Sequence, residues 1–448
     1  MERAAIILAA GQGTRMKSGL PKVLHKVGGR AMLDWSIDLA RRVGCSRIVT
    51  VVSPGSSALH DHVGNEVGPD CIAIQDPPLG TAHAVRAAEE SLTDFNGDVI
   101  VLYGDTPLIP ASAVEALFAK LDEGAAVGVL GFRAQEPGAY GRLVTSADGQ
   151  LEAIVEAKDA SSEQLKINFC NSGVMGARSD RLFRLLSQVG NDNQKGEYYL
   201  TDIVGIARAE NTDCRSVTCE EQDVLGVNSR VELAEAERAF QQRRREELMR
   251  SGVTMTAPET VFFSHDTIIG PDVIIEPHVV FGPDVRVDTG ATVRAFSHLE
   301  GAHVEEGAEI GPYARLRPGA SIGQGAKIGN FVEVKKTRVG EGAKANHLAY
   351  LGDGEVGANA NIGAGTIFCN YDGYLKYKTK IGDNAFIGSN SALVAPVSIG
   401  EGAIVGSGSV IVEDVSADAL ALGRGRQVEK AGWATDFRVR KAAEKKAR

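Results

Sequence analysis

Residues 269–299 read IGPDVIIEPHVVFGPDVRVDTGATVRAFSHL, and an aliphatic or aromatic residue returns there at every sixth position. An α-helix favours a period near 3.6 residues and a half-buried strand favours 2, so a period of six fits neither. It is typical of a solenoid whose short parallel strands stack coil on coil. Because three hexads close one triangular coil, we predict a left-handed parallel β-helix of hexapeptide repeats.

The same period continues far beyond that stretch. The positions predicted to form the internal ladder are Ile269, Ile275, Phe281, Val287, Val293, Leu299, Val304, Ile310, Leu316, Ile322, Ile328, Val334, Ile381, Ile387, Leu393, Ile399, Val405 and Ile411. One residue is lost after Leu299, and the pattern is expected to break between Val334 and Ile381. A hexad repeat alone can be a spacer or an oligomerisation post, so any chemistry must come from the residues that interrupt it.

Length and composition limit the class of protein. A chain of 448 residues exceeds what one core organises and predicts two domains. The net charge of -10 argues against a nucleic-acid surface. The six cysteines show neither metal-binding nor disulfide-scaffold spacing, and no apolar run is long enough for a membrane span. We therefore expect a cytoplasmic protein that does not insert into a membrane.

The first half alternates apolar strands with helical patterns. Strands are predicted at 4–8, 47–52, 71–75 and 98–103, helices at 31–43, 80–91 and 111–123, a strand–helix pair at 171–189, and helices at 197–210 and 229–250. This alternation predicts an α/β domain with a Rossmann-like, mostly parallel sheet. The predicted divisions are this α/β domain at 1–228, a linker helix at 229–251, and a β-helix domain with its tail at 252–448.

The loops after these strands carry a candidate phosphate site. The glycine-rich turn that follows the first strand lacks the GK[ST] of a P-loop, and Met16 stands where a dinucleotide motif has Gly. Such a turn still brings backbone N–H groups near phosphates. Arg15 and Lys22 add cations, and Asp105, just after the strand that ends at Tyr103, is a candidate Mg²⁺ ligand. These loops meet at the carboxyl edge of a parallel sheet, so the sequence predicts one site there.

A second candidate site lies where the hexads break. His347 is the candidate general base, because imidazole takes up a proton near neutral pH. Cationic and hydrogen-bonding side chains accompany it: Arg317, Lys335, Tyr350, Asn361, Asn370, Tyr371 and Lys376. Insertions on one side of a repeat array usually mark its binding face. No second His or Cys stands at ligand spacing, so a metal is not predicted here.

Five motifs, in this order, carry a resemblance to a known family. They are LAAGQGTRM (8–16), LPKVLH (20–25), LGTAHA (79–84), YGDTPL (103–108) and LGVNSR (225–230). The first half resembles the sugar-nucleotide pyrophosphorylases. With the hexapeptide half attached, nearly the whole chain resembles the bifunctional bacterial GlmU family, the N-acetylglucosamine-1-phosphate uridyltransferases joined to glucosamine-1-phosphate acetyltransferases.

The resemblance implies two reactions in sequence. Acetyl-CoA would first N-acetylate glucosamine 1-phosphate. UTP and Mg²⁺ would then convert N-acetylglucosamine 1-phosphate into UDP-N-acetylglucosamine and pyrophosphate, a supply for peptidoglycan and lipopolysaccharide synthesis. The family also implies a homotrimer formed through the β-helix, with each acetyl-transfer site shared between neighbouring prisms.

Residue by residue, the resemblance also implies roles in the uridylyl-transfer site. The nucleotide and the sugar would contact Ala9, Ala10, Gly11, Gln75, Gly80, Thr81, Tyr103, Gly141, Glu156, Asn171 and Asn228, with Tyr198 or Tyr199. Arg15 and Lys22 would neutralise the departing pyrophosphate, and Asp105 and Asn228 would hold Mg²⁺. Pro77-Pro78 stands where relatives carry polar residues, so no side-chain contact is expected there.

For acetyl transfer, the resemblance implies that His347 deprotonates the amine and that Asn370 steadies either the amine or the oxyanion. Arg317, Lys335, Tyr350 and Lys376 would bind the sugar phosphate, with Asn361 and Tyr371 near them. Ser389, Ser407, Arg424 and the C-terminal tail would contact coenzyme A. Position 407 is Ser where the family is expected to have Ala. This difference affects at most a contact made through the backbone of residue 407.

Two other functions remain open at this stage. In the first, the hexads only assemble subunits of a binding or scaffold protein; His347 and its polar neighbours argue against it. In the second, the chain is a single-activity pyrophosphorylase with a structural hexapeptide domain. A degenerate second half would favour that alternative, and the second half here is intact.

Overall fold

The computed structural model describes residues 1–147 and 149–447. The chain forms two compact units, the first spanning Met1–Arg244 and the second beginning at Arg245. The domain limits inferred from the sequence stay a prediction. None of the helices in the described ranges combines the length and the apolar character that crossing a membrane requires.

The first unit is an α/β domain with one main sheet and a separate two-stranded sheet formed by β2 and β3. Its strands are β1 Arg3–Leu8, β2 Lys26–Val27, β3 Arg30–Ala31, β4 Cys45–Val52, β5 Ile72–Ile74, β6 Asp98–Tyr103, β7 Val127–Arg133, β8 Arg142–Thr145, β9 Leu151–Val155, β10 Phe169–Arg178 and β11 Cys214–Cys219. The helices are α1 Met32–Arg42, α2 Ser57–Val67, α3 Thr81–Arg86, α4 Ala111–Asp122, α5 Ser179–Leu186 and α6 Asp202–Ala209. Helix α7 Arg230–Arg250 begins in the first unit and continues past its end at Arg244.

The main strands follow the order β11-β7-β10-β6-β1-β4-β5. β1 pairs in parallel with β4 and β6, and β10 runs antiparallel between β6 and β7. The central strand β1 is apolar and buried along nearly its whole length, as expected for a parallel strand covered on both faces. The predicted mostly parallel sheet is confirmed. The loops after β1, β5 and β6 consequently meet at one edge.

Two predicted helices have different limits. The helix expected at 80–91 ends at Arg86, because the next N–H groups bond to carbonyls three residues back, as from Ala88 to Val85. The helix expected at 197–210 begins only at Asp202. The residues before it are not helical, since the Tyr198 N–H donates to the Leu79 carbonyl at 2.8 Å. Helix α2 and strands β7, β8, β9 and β11 were not predicted.

The second unit consists of short parallel strands and one terminal helix. Its strands are β12 Thr254–Met255, β13 Ile268–Ile269, β14 Ile274–Ile275, β15 Val280–Phe281, β16 Val285–Val287, β17 Thr292–Val293, β18 His298–Leu299, β19 Ala302–Val304, β20 Glu309–Ile310, β21 Arg315–Leu316, β22 Ala320–Ile322, β23 Lys327–Asn330, β24 Glu333–Val339, β25 Lys344–His347, β26 Tyr350–Val356, β27 Asn361–Ile362, β28 Ile367–Cys369, β29 Thr379–Ile381, β30 Phe386–Ile387, β31 Ala392–Val394, β32 Val397–Ile399, β33 Ile404–Val405, β34 Val410–Ile411 and β35 Leu420–Ala421. Helix α8 spans Trp433–Ala447.

These strands stack in three parallel columns. One column runs β12-β14-β17-β20-β23-β25-β27-β30-β33-β35, and the other strands form the remaining two. The long strands β24 and β26 bend from one column into the next, since the two ends of β24 pair with β21 and β22. Every residue of the predicted ladder is buried. The predicted parallel β-helix is confirmed.

The expected break in the hexads is wrong for most of its length. The ladder continues through buried Val339, Ala345, Leu351, Val356, Ile362 and Phe368. Two five-residue spacings and one alanine hide this continuity in the sequence, because neither fits a strict aliphatic hexad. The true interruption is the loop between Asn370 and Lys378, after which β29 resumes the stack on β26.

Candidate active sites

The glycine-rich turn after β1 is shaped by contacts with the segment around Lys22. Gly13 has a φ of +60°, and a Cβ there would lie 2.6 Å from the Lys22 Cβ, so only glycine fits. The N–H of Ala9 donates to the Val51 carbonyl at 2.8 Å, which continues the pairing of β1 past its end. The turn therefore delivers its backbone and Lys22 to the same place.

A cleft of about 340 Å³ opens at this edge of the sheet. Its lining contains Leu8, Ala9, Ala10, Gly11, Gln12, Lys22, Val23, Gln75, Pro78, Gly80, Thr81, Ala84, Tyr103, Asp105 and Glu197. The structure thus brings most of the predicted nucleotide-binding residues together, from three strand ends. Gln12, Pro78 and Glu197 also line the cleft and were not predicted. No side-chain contact is expected for Pro78 from the sequence.

The loop between β5 and α3 is held in place by its own hydrogen bonds. The buried Gln75 side chain donates through Nε2 to the Gly80 carbonyl at 2.9 Å. The Thr81 hydroxyl accepts the N–H of Leu200 at 3.0 Å. Gly80 has a φ of +112°, and a Cβ there would stand 2.6 Å from the Tyr198 carbonyl. This wall of the cleft is therefore preformed.

At the other wall of the cleft, two side-chain oxygens converge on the ammonium group of Lys22. Lys22 Nζ contacts the Asp105 carboxylate and donates to the Asn228 side-chain oxygen at 3.0 Å. The N–H of Val227 donates to the Asp105 carbonyl at 2.9 Å, and this bond sets the two ligands side by side. In the described ranges no group of three or more His, Cys, Asp or Glu side chains is arranged to hold a metal ion.

The predicted sugar-binding residues form a group of their own. The Asn171 N–H donates to the Gly141 carbonyl at 2.8 Å, and a Cβ on Gly141 would lie 3.6 Å from Glu156 Oε1. Thr201 donates its hydroxyl to the same Glu156 oxygen at 3.4 Å. Burial raises the pKa of Glu156. Thr201 was not predicted.

Tyr103 connects this group with the cleft. Its ring lines the cleft and packs on Gly173, where a Cβ would come within 2.8 Å of the ring. Burial raises the pKa of Tyr103, and the carboxylates of Asp105 and Glu156 raise it further. The phenol therefore stays protonated between the metal-ligand candidate and the sugar-pocket candidate.

Arg15 and the two tyrosines are not brought into the cleft. Arg15 is exposed on the 3₁₀ turn Thr14–Met16 and does not line the cavity. The Tyr198 backbone braces the Gly80 loop, while its side chain lines a separate depression with His83. Tyr199 does not line the cleft either.

In the second unit, several predicted residues gather along β24, β26 and β28. Arg317 donates to Glu333 at 2.7 Å, and the neighbouring Lys376 ammonium lowers the pKa of Lys335. Asn370 is buried and donates through Nδ2 to the Asp353 carboxylate at 2.6 Å.

Gly352 lies between two of these groups. A Cβ on it would collide with the Tyr350 hydroxyl and would lie 2.8 Å from Asn370 Nδ2. These side chains therefore form one polar cluster.

The loop that carries Tyr371 and Lys376 is organised by Asp372. Its carboxylate accepts the N–H groups of Tyr374 at 2.8 Å and Leu375 at 2.6 Å, and the hydroxyl of Tyr377 at 3.0 Å. The hydrogen bonds from the Leu375 and Tyr374 backbones lower the pKa of Asp372. Asp372 was not predicted, although an Asp-Gly pair inside an interrupted repeat is a turn signal.

His347 is exposed at the end of β25. Its Nδ1 lies 2.6 Å from Asn330 Oδ1. An amide oxygen only accepts, so Nδ1 carries the proton and Nε2 is left with its lone pair. Asn330 therefore selects the tautomer that a general base requires. Asn330 stands inside an apparently regular hexad, so the sequence gives no sign of this role.

The candidate coenzyme A residues lie on neighbouring coils. The Ser389 carbonyl accepts the Gly408 N–H at 2.8 Å, and Arg424 donates to the Ser407 carbonyl at 2.9 Å. All three predicted side chains are exposed. Asn361 pairs with Lys344 in the column of β25 and β27, whereas the Arg317 cluster follows β24, β26 and β28.

Comparison with known proteins decides the family. Residues 5–166 match the MobA-like NTP transferase domain, and residues 301–336 and 378–413 match the bacterial transferase hexapeptide (six repeats). The chain is 63% identical to the Bifunctional protein GlmU of Hyphomonas neptunium over 447 residues, covering 100% of this chain and 97% of the relative. It is 58% identical to the Bifunctional protein GlmU of Caulobacter vibrioides, covering 99% and 96%. The chain belongs to the GlmU family.

A solved UDP-glucose pyrophosphorylase complexed with UDP-glucose is similar to 55% of this chain and 100% of that chain, with 18% identity and a TM-score of 0.45. Membership in the GlmU family confirms the prediction of a bifunctional transferase of UDP-N-acetylglucosamine synthesis. It also excludes the two alternatives, a scaffold protein and a pyrophosphorylase with a single activity.

Two further residues of the chain support the cleft from helix α7. Glu232 accepts the N–H of Asn228 at 2.7 Å, and its own N–H donates to the Ser229 hydroxyl at 3.3 Å. The Ser-x-x-Glu spacing of a capping box was a signal for this contact. Glu232 thus fixes the backbone of the predicted metal ligand.

Arg230 ties the same helix start to the first two motifs. Its Nε donates to the Met16 carbonyl at 3.3 Å, and its Nη1 lies 3.3 Å from His25 Nδ1. Burial and the Arg230 charge lower the pKa of His25, so this imidazole is neutral and accepts the bond. The sequence gave no sign that residue 230 reaches residues 16 and 25, since 205 positions separate Arg230 from His25.

Proposed function

We propose that the cleft of the first unit transfers the uridylyl group of UTP to N-acetylglucosamine 1-phosphate. The observation that carries this proposal is the convergence of Lys22, Asp105 and Asn228 beside the backbone of the glycine-rich turn. In-line displacement at phosphorus needs positioning and positive charge more than covalent help. Lys22 supplies that charge beside the transferred phosphate, and Arg15 is assigned to the departing pyrophosphate.

The same residues suit Mg²⁺. The Asp105 carboxylate and the Asn228 amide oxygen already point at one cation, the Lys22 ammonium, and they are hard oxygen donors of the kind Mg²⁺ selects. Two protein ligands leave room for phosphate oxygens, as is usual for Mg²⁺ in nucleotide sites. Bound there, the ion would neutralise phosphate charge.

The sugar is assigned to the group around Gly141, Glu156 and Asn171, and the base to Gln75, Gly80 and Thr81. Tyr103, between the two, faces the point where sugar phosphate and nucleotide meet. The raised pKa of Glu156 reflects a buried carboxylate that a sugar hydroxyl would satisfy by donating a hydrogen bond.

For acetyl transfer we assign His347 as the base and the Arg317, Lys335, Tyr350 and Lys376 cluster as the sugar-phosphate site. Nε2 of His347 takes a proton from the glucosamine amine, and the amine nitrogen attacks the thioester carbonyl. The carbon–sulfur bond then breaks, the protonated His347 returns its proton to the departing sulfur, and coenzyme A leaves as the thiol while the amide forms.

The remaining predicted residues complete this assignment. Asn361 and Tyr371 would supply hydrogen bonds, and Ser389, Ser407 and Arg424 would hold coenzyme A. Asn370 presents its amide oxygen away from Asp353, because its NH₂ group faces that carboxylate. An outward oxygen accepts a hydrogen bond, so Asn370 orients the amine and not the oxyanion.

We propose that the acetyl-transfer site is shared between chains. Leu348, next to His347, and Asp353, beside Asn370, stand at two corners of the coil with positive φ, five positions apart. At about 3.3 Å per residue, the two corners are roughly 15 Å apart. One small sugar cannot reach both, so His347 of one prism serves the Asn370 cluster of another.

We accordingly propose a homotrimer formed through the β-helix. A column of exposed aromatic side chains supports it. His278 stacks on Phe296 at 4.8 Å, Phe296 on Tyr313 at 4.9 Å, and Tyr313 on Phe331 at 5.2 Å. Since Asn330 pairs with His347, this aromatic column continues into Leu348, next to the proposed base. A neighbour covering the column would also face His347.

Phe331→Asn tests this arrangement. Phe331 has a φ of +57°, which asparagine adopts readily, so the variant removes the ring without straining the corner. We expect light scattering to show three chains for the wild type and dissociation for the variant, with acetyl transfer lost and uridylyl transfer kept. Asp272→Asn, at another left-handed corner with φ of +59°, is the matched control. If the Phe331→Asn variant stays trimeric, the aromatic column is not part of the subunit interface.

We also place the enzyme in the cytoplasm. All six cysteines are free thiols, which is the state that a reducing compartment maintains.

One incubation tests the whole assignment. The protein is mixed with glucosamine 1-phosphate, acetyl-CoA, UTP and Mg²⁺, and free thiol and pyrophosphate are measured separately. We expect both products, with pyrophosphate release dependent on acetyl-CoA, because only the acetylated sugar suits the first unit. Pyrophosphate formed without acetyl-CoA would mean that the cleft accepts another sugar phosphate.

A further inference from the structure

Asp353 stands at a corner of the β-helix where two of the four preceding coils have glycine. Along this corner the residues are Asp284, Gly301, Gly319, Lys336 and Asp353, as the register of adjacent coils shows. All five have a positive φ, between +46° and +83°. Glycine adopts this conformation most easily, so the fold does not require a carboxylate at position 353.

The carboxylate instead meets Asn370 on the next coil. Tyr350 pairs with Ile367, so three residues further along both coils Asp353 lies beside Asn370. The Asn370 Nδ2 donates to Asp353 Oδ2 at 2.6 Å, a short bond strengthened by the negative charge. Asn370 is buried, and Asp353 is half-buried. A buried amide held in this way has one orientation.

Asp353 also lies among the cations of the cluster. Lys376 lowers the pKa of Lys335, and the Asp353 charge opposes that lowering. The pKa of Lys376 is raised, first by its hydrogen bond with Lys335 and then by the Asp353 charge. The carboxylate has no hydrogen to donate, so it accepts from Asn370 and leaves the amide oxygen of Asn370 directed away from it. The orientation of that oxygen therefore depends on Asp353.

We propose that Asp353 is a positioning residue for acetyl transfer, fixing the Asn370 carboxamide so that its oxygen receives the substrate amine. This inference rests on the proposed role of Asn370. Asp353 does not touch the reacting atoms. The Asp353 carboxylate prevents the Asn370 amide from rotating. A rotated amide would present its NH₂ group to the substrate amine, which itself donates hydrogen bonds.

Asp353→Gly is the decisive variant, because glycine occupies the same corner at 301 and 319. Asp284→Gly, on the same corner, is the matched control for added backbone freedom. We expect Asp353→Gly to lower kcat for acetyl transfer by about 10- to 100-fold, the cost of a misplaced reacting group. The KM for acetyl-CoA, uridylyl transfer and the thermal unfolding of the β-helix should match those of Asp284→Gly. Asp353→Asn keeps a weaker acceptor and should recover part of the rate.

A double-mutant cycle shows through which residue Asp353 acts. In an Asn370→Ala background, Asp353→Gly should have no further effect, because no carboxamide is left to orient. Equal kcat values for Asp353→Gly and Asp284→Gly would overturn the proposal, and so would additive losses in the cycle. If Asn370→Ala alone keeps the wild-type rate, the assigned role of Asn370 has failed, and that outcome is distinct from failure at Asp353.

Discussion

His347→Ala is expected to lower acetyl transfer by at least about 100-fold, the usual contribution of a positioned general base. Nε2 of His347 is the free imidazole nitrogen, since Asn330 accepts the proton of Nδ1. Alanine leaves the amine protonated at neutral pH and therefore unable to attack the thioester. The measurement is release of free thiol from acetyl-CoA in the presence of glucosamine 1-phosphate.

Uridylyl transfer by the same preparation provides the control, with N-acetylglucosamine 1-phosphate as substrate. It should be unchanged, because His347 belongs to the second unit and the nucleotide cleft to the first. His347→Asn retains a hydrogen bond to Asn330 and should be as slow as the alanine variant. A variant that keeps wild-type thiol release would assign the base to another group.

Asp105→Ala is expected to have a comparable effect on the other reaction. The substitution removes the carboxylate that contacts Lys22 and leaves Asn228 as the remaining predicted metal ligand. Losing one electrostatic contact to the transition state usually costs about 100- to 1,000-fold in rate. Pyrophosphate release should fall by that amount and should need a higher Mg²⁺ concentration.

Asp105→Asn separates charge from shape in this prediction. It keeps one oxygen toward Lys22 and removes the negative charge, so a rate close to that of alanine would show that the charge matters. Acetyl transfer should be unaffected by both substitutions. If Asp105→Ala silenced acetyl transfer in a folded protein, the two sites would not be independent.

Site residues could be predicted from the sequence most readily where the residue type has few structural uses. The sequence alone indicates the glycine-rich turn, Asp105 after β6 and His347 in the hexapeptide half. Each owes its signal to local pattern, because backbone conformation or chemistry restricts the choice of residue. Roles for these residues remain proposals, while the family and the two-reaction function are established.

Residues that act through another residue left little signal in the sequence. Asn330, Asp353 and Arg230 contact their partners across 17, 17 and 205 positions. Nothing in a single chain distinguishes such an asparagine or aspartate from a solvated one. The sequence also missed the continued ladder at Ala345, since a small residue interrupts an aliphatic pattern without interrupting the stack.

By itself the sequence determined the β-helix, the mostly parallel sheet and the chemical character of both sites. These follow from periodicity and from the conformations that glycine and apolar residues favour, which act over a few positions. Only the tertiary structure decided which atoms meet. It set Lys22 between Asp105 and Asn228 and turned Asn370 toward Asp353. The tertiary structure also places His347 one side of the coil away from Asn370 and Asp353. Such contacts depend on how segments that are distant in sequence pack together, and local sequence pattern does not determine that packing.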